Sequence, residues 1–411
     1  MSLENEDVRL SQYVVERYAG IYLHVKHPTS KSIARNARHD LLWSHPDIMT
    51  HRANMRFNHL CSVAAAFVLA TAAVTPASVS AQRAAEWLFY YVDNEESYRS
   101  LVENVGQITV LGPQVYTVDS LGIVWGSLDR RVLALAKQHD MKVMPLLVNE
   151  GFHQPSLRRL LADTAARGRA TRTMAELCRS EGYWGWQFDI ENINLQDREL
   201  FTAWYDETAR ALHAARCTIS IAVVHRPETM PGPTGYHRFL HESWRDGYDL
   251  AALARAGDFI SVMTYSQHTR RTPPGPVAGL PWVREVVDYF LKFMPPEKLS
   301  LGVPLAGQHW YTRDDPSLPE RARSWSESVT WTWGSGLAER HAATLHWDAE
   351  QAATWAYYAN GGTYEWLFLE DVRSFRAKLD LAREKRLRGF SAWVLGREDR
   401  RIWEVLRGEQ R

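Results

Sequence analysis

The sequence has little cysteine, no excess of either charge and no hydrophobic run long enough to cross a membrane. Only three cysteines occur in 411 residues, and none of them has the spacing of a metal-ligand pair. The 48 Lys and Arg residues balance 48 Asp and Glu residues, so there is no electrostatic reason to expect nucleic acid or an anionic membrane surface as a partner. The apolar stretch at residues 60–74 falls short of the roughly 20 residues that a membrane-spanning helix needs.

The sequence also lacks a Gly-rich phosphate-binding loop, so we predict neither a nucleotide cofactor nor a metal centre. Cys61 lies in the N-terminal apolar stretch, which leaves Cys178 and Cys217 in the rest of the chain. These two residues are compatible with a disulfide in an oxidising compartment and equally with two buried thiols. The sequence leaves both possibilities open.

The first 81 residues have the pattern of a targeting segment behind an unrelated extension. Arg56 precedes the apolar stretch, and the small residues 79–81 end it, as in a secretory signal peptide. We therefore expect residues 55–81 to be a signal peptide and residues 1–54 to be a non-native or poorly ordered extension. Residues 82–411 would then be one secreted or periplasmic domain. A short membrane anchor behind a cytoplasmic tail is the alternative.

Short apolar runs alternate with amphipathic stretches after residue 82. Eight such runs separated by helices are typical of a parallel (β/α)8 TIM barrel of the α/β class. About 80 residues separate the seventh run from the eighth, which predicts a small α+β insertion at about 310–385. The predicted strands are Trp87–Val92, Ile108–Val110 with Gln114–Val118, Lys142–Val148, Gly185–Glu191, Thr218–Val224, Phe259–Thr264, Leu299–Pro304 and Gly389–Val394.

The fourth predicted strand is the most informative segment of the chain. Its side chains alternate between two faces, of which one is wholly apolar and the other ends in Asp189 and Glu191. In a barrel, an apolar strand face packs against the surrounding helices. Active sites lie at the C-terminal ends of the strands, which is where the two carboxylates stand. An antiparallel strand with one solvated face is the alternative for this segment alone. The apolar face consists of Trp186, Phe188 and Ile190.

Polar and aromatic side chains also follow several other predicted strands. Each of them alone is weak evidence, because a single Tyr or Trp at a strand end is usually a core or rim residue. Their joint occurrence at separate strand ends is typical of a barrel enzyme. We interpret His309 as a rim residue rather than a catalytic one. The candidates are Tyr91, Asn149, Met263, Tyr265, Trp310 and Trp393.

Several segments, in chain order, resemble glycoside hydrolase family 18, the chitinase family. Tyr183–Asn192 resembles that family's strand-four signature, Asp-Gly-x-Asp-x-Asp-x-Glu, and Met263–Tyr265 resembles its strand-six motif. The loop Pro273–Trp282 and the segments Leu299–Gly307 and Leu387–Gly396 agree with it as well. The likeness spans about residues 85–408 and is greatest to the branch of bacterial spore-cortex and cell-wall N-acetylglucosaminidases.

This resemblance implies an exported glycosidase that cleaves β-1,4-linked N-acetylhexosamine glycans, either peptidoglycan or chitooligosaccharide. The implied mechanism is retaining and substrate-assisted, with the substrate's own acetamido oxygen as the nucleophile. Glu191 would be the acid/base, Asp189 would orient the acetamido group, and Tyr265 would donate a hydrogen bond to it. We expect further substrate contacts from Gln187, Trp393, Met263, Tyr91, Asn149 and Trp310.

The sequence departs from the family pattern at three positions. Trp184 and Gln187 stand where the strand-four signature has its first two aspartates, and Ser266 stands where the strand-six motif has Asp. These departures bear on substrate detail and rate, while the acid and its adjacent Asp are present. A non-hydrolytic sugar-binding protein is the alternative, and the presence of Glu191 favours the enzyme. We expect a monomer that binds an N-acetylglucosamine-containing glycan without a cofactor.

Overall fold

The computed structural model of the protein describes residues 85–228, 231–315 and 318–409. The predicted signal peptide and the extension before it lie outside the described residues. Within the described part of the chain, no helix is both long and apolar enough to span a membrane.

The strands of the described residues fall into two sheets, a barrel and an antiparallel insertion. They are β1 (Glu86–Tyr91), β2 (Val110–Val118), β3 (Val124–Gly126), β4 (Lys142–Val143), β5 (Leu146–Asn149), β6 (Gly185–Asp189), β7 (Thr218–Val224), β8 (Phe259–Met263), β9 (Leu299–Pro304), β10 (Gly307–Asp315), β11 (Leu318–Val329), β12 (His346–Asp348), β13 (Ala353–Asn360), β14 (Thr363–Leu369) and β15 (Gly389–Trp393).

The helices lie between these strands along the chain. They are α1 (Glu95–Asn104), α2 (Arg130–Gln138), α3 (Gln154–Ala162), α4 (Thr164–Glu181), α5 (Arg198–Ala214), α6 (Gly235–Leu240), α7 (Leu250–Ala256), α8 (Leu280–Phe290), α9 (Trp331–Arg340), α10 (Val372–Glu384) and α11 (Ile402–Glu409).

Eight parallel strands close into the barrel in the order β1, β2, β5, β6, β7, β8, β9 and β15. Closure comes from β1, which pairs in parallel with β2 on one side and with β15 on the other. The predicted (β/α)8 barrel with an α+β insertion after the seventh strand is confirmed. Closure brings the C-terminal ends of all eight strands to one face, which is where barrel enzymes carry their active sites.

The strand β6 takes its orientation from its large aromatic residues. The indole of Trp186 donates from Nε1 to the Met174 carbonyl of α4 at 3.0 Å, and the Phe188 ring lies 4.9 Å from that of Trp204 on α5. Burial of each ring stabilises the fold by about 1.5–3 kcal/mol, so this face points toward the helices. Alternation then turns Asp189 toward the barrel axis.

The approach to β6 is fixed by the ends of α4. Asp163 caps the helix, and its side chain accepts hydrogen bonds from the amides of Ala165 and Ala166. The helix ends at Gly182, whose φ of 73° is the left-handed conformation that glycine adopts most readily. A disulfide joins Cys178 near this end to Cys217, which precedes β7, across a Cα–Cα distance of 6.6 Å.

The insertion is an antiparallel sheet in the order β11, β10, β14, β13 and β12. Its core includes Val329, Leu337 of α9, and Leu367. The sequence analysis predicted that His309 and Trp310 follow the seventh barrel strand at its C-terminal end. That strand ends at Pro304, and residues 308–310 lie on β10, the first strand of the insertion.

Candidate active site

The carboxylate pair lies at the C-terminal end of β6. Asp189 is the last residue of the strand and is 4% exposed. Glu191 follows two residues later and is half-buried. In the described part of the chain, the Glu191 carboxyl has no hydrogen-bond partner, whereas its backbone is firmly held. A carboxyl group placed in this way is able to exchange a proton with a bound ligand.

The backbone at Glu191 is held by the end of the neighbouring strand β5. The Asn149 amide donates from Nδ2 to the Glu191 carbonyl at 3.0 Å, and its Oδ1 accepts from the Glu191 amide at 3.0 Å. Tyr248 donates its hydroxyl to the Ile190 carbonyl at 2.8 Å. Asn149 was predicted to contact substrate, and the structure gives it this positioning contact with Glu191.

Asp189 is held by a side chain that the sequence analysis did not identify. Gln114 on β2 donates from Nε2 to Asp189 Oδ2 at 3.0 Å. The pairing of β2 with β5 shifts register between Gln114 and Tyr116, and a bulge of this kind changes the direction of a side chain. Burial raises the pKa of Asp189, and the Gln114 hydrogen bond opposes that rise.

Glu191 and Asp189 affect one another electrostatically. Burial raises the pKa of Glu191, and the neighbouring Asp189 carboxylate raises it further. A proton shared by this pair therefore resides on Glu191, while Asp189 keeps its charge. This is the charge distribution that a carboxylic-acid proton donor beside an ionised carboxylate requires.

Tyr265 follows β8 on the same face of the barrel. Burial raises the pKa of its phenol well above the ordinary value, and Tyr90, Asp189 and Glu191 add to the shift, so the hydroxyl keeps its proton. Among the described residues, its hydroxyl has no hydrogen-bond partner, which leaves it able to donate to a ligand. Met263, two residues earlier, is half-buried at the end of β8.

His225 supports the backbone around Tyr265. Its ring hydrogen-bonds to the backbone of Met263 and Tyr265, while burial, together with the adjacent Arg245, lowers the pKa of His225 to about 3. Arg245 Nη2 donates to His225 Nε2 at 3.2 Å, which requires the neutral ring to carry its proton on Nδ1. His225 is thus a neutral hydrogen-bonding group and carries no charge into the site.

The first barrel strand contributes Tyr90 rather than the predicted Tyr91. Tyr91 belongs to the cluster packed against the helices, and its hydroxyl donates to Asp93 at 3.3 Å. Tyr90 belongs to the cluster inside the barrel, and its ring centroid lies 5.3 Å from that of Trp393. The structure therefore places Tyr91 outside the site and adds Tyr90 to it. Strand alternation puts the two tyrosines on opposite faces, but because β1 is buried on both faces the sequence pattern does not show which of them points inward.

Trp393 ends β15 and borders an open cavity at the catalytic face. This cavity has a volume of about 200 Å³. A larger cavity of about 540 Å³ lies between α5 and α7 in the outer helical layer, and it contains none of the predicted site residues. The cavity beside Trp393 is therefore the better candidate for a sugar subsite. Its lining includes Val92, Asn94, Ala306, Trp393 and Leu395.

Gln187 lies beneath Asp189 and is fully buried. Its Nε2 donates to Ser220 Oγ and Ser261 Oγ, each at 3.0 Å. Ser391 continues the network, with its Oγ 2.9 Å from Ser261 Oγ and 2.7 Å from Ser300 Oγ. Gln187 therefore organises a neutral polar layer inside the barrel, and the hydrogen bond to Asp189 comes from Gln114 instead.

The other two departures from the family pattern are Trp184 and Ser266. Trp184 precedes β6 at the opposite end of the strand, about 16 Å from Asp189 by strand geometry. Its ring stacks 6.4 Å from that of Phe259, and the Lys142 ammonium lies 4.4 Å above it. Ser266 is exposed, with a φ of 61°. Trp184 therefore fills the closed end of the barrel.

Trp310 and His309 are both buried in the insertion. Trp310 is 1% exposed and packs edge-on to Phe368 at 5.7 Å. His309 Nε2 lies 2.7 Å from Glu365 Oε2, and the Tyr358 hydroxyl donates to the same oxygen at 2.6 Å. The expectation that His309 is a rim residue is wrong, since it is 6% exposed. Within the described residues, no group of three His, Cys, Asp or Glu side chains is arranged to hold a metal.

Comparison with known proteins agrees with this geometry. A family model described as glycosyl hydrolases family 18 matches residues 88–398. The cortical fragment-lytic enzyme of Bacillus subtilis (strain 168) is 30% identical over 271 residues, which cover 65% of this chain and 59% of that protein. The predicted resemblance is therefore confirmed.

Two solved structures share the fold. The spore cortex-lytic enzyme SleL of Bacillus megaterium QM B1551 matches with a TM-score of 0.68 and 22% identity, over 79% of this chain and 73% of that one. The chitinase of Chromobacterium violaceum ATCC 12472 matches with a TM-score of 0.69 and 23% identity, over 79% and 98%. Because the family model covers well over half of the sequence, this chain belongs to family 18 of the glycosyl hydrolases and is a glycosidase.

Proposed function

We propose that this glycosidase is exported and cleaves β-1,4-linked N-acetylhexosamine glycans by a retaining, substrate-assisted mechanism. The observation that carries the proposal is the grouping of three side chains at one barrel face. Glu191 has a raised pKa and a free carboxyl group, Asp189 is buried beside it, and the phenol of Tyr265 interacts electrostatically with both. A protonated acid, an ionised carboxylate and a neutral donor are the groups that this mechanism requires.

In the first step, Glu191 donates its proton to the glycosidic oxygen as the bond from that oxygen to the anomeric carbon breaks. The carbonyl oxygen of the substrate's 2-acetamido group bonds to the anomeric carbon, which gives an oxazolinium ion. Asp189 stabilises the positive charge that develops on the acetamido nitrogen, and Tyr265 donates a hydrogen bond that orients the carbonyl. In the second step, Glu191 takes a proton from water, which attacks the anomeric carbon and restores the acetamido group.

Bacterial wall peptidoglycan is the substrate that the relatives favour. The relative from Bacillus subtilis is named as a cortical fragment-lytic enzyme, and SleL is named as a spore cortex-lytic enzyme. The chitinase of Chromobacterium violaceum supports chitooligosaccharide as the second candidate. Both glycans carry the acetamido group that the mechanism uses.

The disulfide between Cys178 and Cys217 supports export. Such bonds persist in oxidising compartments and are rare in the cytosol. The signal-peptide pattern at residues 55–81 agrees with it. N-terminal sequencing of the native protein tests this part of the proposal, with Gln82 expected as the first residue. A native protein that retains residues 1–54 would contradict it.

The activity is tested by incubating the full chain with purified peptidoglycan, chitooligosaccharides and an unacetylated glucan, followed by mass spectrometry of the products. We expect cleavage of an acetamido-bearing substrate, no cleavage of the glucan, and competitive inhibition by a thiazoline analogue of N-acetylglucosamine, which mimics the cyclic intermediate. Efficient glucan cleavage would contradict substrate assistance. Sugar binding without hydrolysis of any acetamido-glycan would instead assign the chain as a lectin.

A further inference from the structure

Three arginines surround one tryptophan at the edge of the insertion sheet. The guanidinium carbons of Arg313, Arg270 and Arg323 lie 4.5, 5.3 and 5.6 Å from the ring centroid of Trp325. A guanidinium within about 6 Å of an indole ring is attracted to the negative face of that ring. We call the group formed by Arg270, Arg313, Arg323 and Trp325 the arginine cluster.

The cluster concentrates positive charge in a small volume. Arg270 and Arg313 are at most 9.8 Å apart, the sum of their two distances from the ring centroid. That separation is close to the Debye length of 8–10 Å at physiological ionic strength, so their potentials add. Arg313 also lies directly opposite Arg323 in the pairing of β10 with β11, an arrangement of like charges that costs stability.

The acidic side chains that the structure describes near Arg270 and Arg313 are few and are directed elsewhere. Within the described ranges, neither Arg270 nor Arg313 forms an ion pair with an acidic side chain. Glu327 is two residues from Trp325 on the same face of β11, but its carboxylate lies 3.4 Å from the Tyr311 hydroxyl and 3.6 Å from His309 Nδ1. The Asp314 side chain points to the opposite face of the sheet from Arg313. Arg270 and Arg313 are therefore suited to bind an anion from solution.

The chain segments that carry the cluster leave the barrel at the same end as the catalytic residues. Arg270 lies five residues after Tyr265, in the loop between β8 and α8, and β10 begins three residues after barrel strand β9 ends. The loop is held in shape, because Gln267 Oε1 accepts from the Gly279 amide at 2.7 Å and the Thr269 amide donates to Thr272 Oγ1 at 2.9 Å. A glycan in the catalytic cleft that extends toward the insertion would reach this surface.

We propose that the arginine cluster binds carboxylates carried by the glycan strand, as on the peptide stems of peptidoglycan, and so favours an anionic wall polymer over neutral chitin. Each guanidinium presents N–H donors in the fork geometry that a carboxylate matches. The half-buried Trp325 lies beside them. This inference rests on the proposed function, whose substrate class it makes specific.

The test measures binding and hydrolysis separately. The probes are soluble peptidoglycan strands that retain their peptide stems, and the same strands after amidation of their carboxylates. The Kd of the full chain carrying Glu191→Gln is measured for both, because this background binds without cleaving. The variant is Arg270→Gln/Arg313→Gln, and the matched control is Arg172→Gln/Arg376→Gln, which removes two exposed charges from α4 and α10.

We expect the cluster variant to raise the Kd for the charged strands about fivefold, since exposed ion pairs contribute modestly. It should leave the Kd for amidated strands unchanged, and the control should alter neither. Raising NaCl from about 0.1 M to about 1 M, which shortens the Debye length from about 10 Å to about 3 Å, should weaken binding of charged strands only when the cluster is intact. Arg313→Lys should be intermediate, because it keeps charge without the fork.

Equal Kd changes for charged and amidated strands, or no change for either, would overturn the proposal. A second result would also overturn it. If the cluster variant loses binding to a duplex DNA oligomer but still binds the peptidoglycan strands, the surface is assigned to nucleic acid. Failure of the proposed function gives a different result. In that case the protein without the Glu191 substitution cleaves none of the acetamido-glycans, whereas carboxylate-dependent binding of the strands is retained.

Discussion

Gln114 donates a hydrogen bond from Nε2 to Oδ2 of Asp189 at 3.0 Å, although 75 residues separate the two in the chain. The bond crosses the barrel face from β2 to β6 and reaches Asp189 through the irregular pairing of β2 with β5. It stabilises the ionised form of a carboxylate that burial would otherwise protonate. Gln114 is thus a positioning residue for the proposed catalytic pair.

Replacing Gln114 should change the pH dependence of the reaction. Gln114→Met removes the hydrogen bond at similar size, so the pKa of Asp189 should rise and the acidic limb of kcat/KM should move to higher pH. Gln114→Glu should move it further, because it adds a like charge. Profiles of kcat/KM from about pH 3 to about pH 9 would measure both effects. Gln138→Met, at an exposed position of α2, is the control, and identical profiles for all forms would contradict the assigned role.

The variant Glu191→Gln should fold normally and lose activity. Glutamine has nearly the same shape but no proton of suitable acidity, so kcat should fall by about 10²–10⁴. Activity assays, with circular dichroism as the check on folding, would measure this. Glu176→Gln, which removes an exposed carboxylate from α4, should behave like the unsubstituted protein. Full activity in Glu191→Gln would exclude Glu191 as the acid.

Gln187 should be electrostatically sensitive although it cannot ionise. It is buried two residues from Asp189 on the same face of β6 and bonded to Ser220 and Ser261. In Gln187→Asp, a second buried carboxylate should raise the pKa of Asp189 and shift the acidic limb of kcat/KM. Gln187→Asn keeps the neutral amide and should shift it little. Superimposable profiles for Gln187→Asp and the unsubstituted protein would show that position 187 is not coupled to the acid.

The buried acid should make the protein less stable in alkali. Burial raises the pKa of Glu191 above its unfolded value, so the stability that its protonated form contributes is complete below about pH 4.3. This stability is lost as pH rises through the raised folded pKa. Glu191→Gln should therefore lose less free energy of unfolding between about pH 4 and pH 9, by about 1.4 kcal/mol per unit of pKa shift. Denaturant titrations across this range would measure it, and parallel curves would contradict the prediction.

The disulfide should stabilise the barrel. It joins residues 39 apart in sequence, for which chain-entropy arguments give about 2–4 kcal/mol. Cys178→Ala and Cys217→Ala should each lose about that much, and the double variant should lose little more, because either substitution breaks the bond. Denaturation with and without a reductant would test this. Equal stability of the unsubstituted protein under both conditions would show that the bond does not contribute.

The barrel and the carboxylate pair were predictable because they depend on local periodicity, and the family was predicted from the resemblance of several strand motifs to those of family 18. Alternation along β6 separates the apolar face from Asp189 and Glu191 whatever the rest of the chain does. Eight apolar runs between amphipathic stretches then favour a barrel. The same alternation did not identify the inward tyrosine of β1, because that strand is buried on both faces and its pattern gives no direction.

The remaining features of the site depend on contacts between distant parts of the chain. Strand pairing in the barrel brings together residues that are far apart in the chain. Examples are the hydrogen bond from Gln114 to Asp189, the hydrogen bonds of Asn149 to the backbone of Glu191, and the disulfide between Cys178 and Cys217. Trp310 is assigned to the insertion only because β9 ends at Pro304. The sequence therefore determined which residues are proposed to carry the chemistry. Tertiary structure decided which side chains hold them in position, because a hydrogen bond a few ångströms long depends on how strands far apart in sequence register in space.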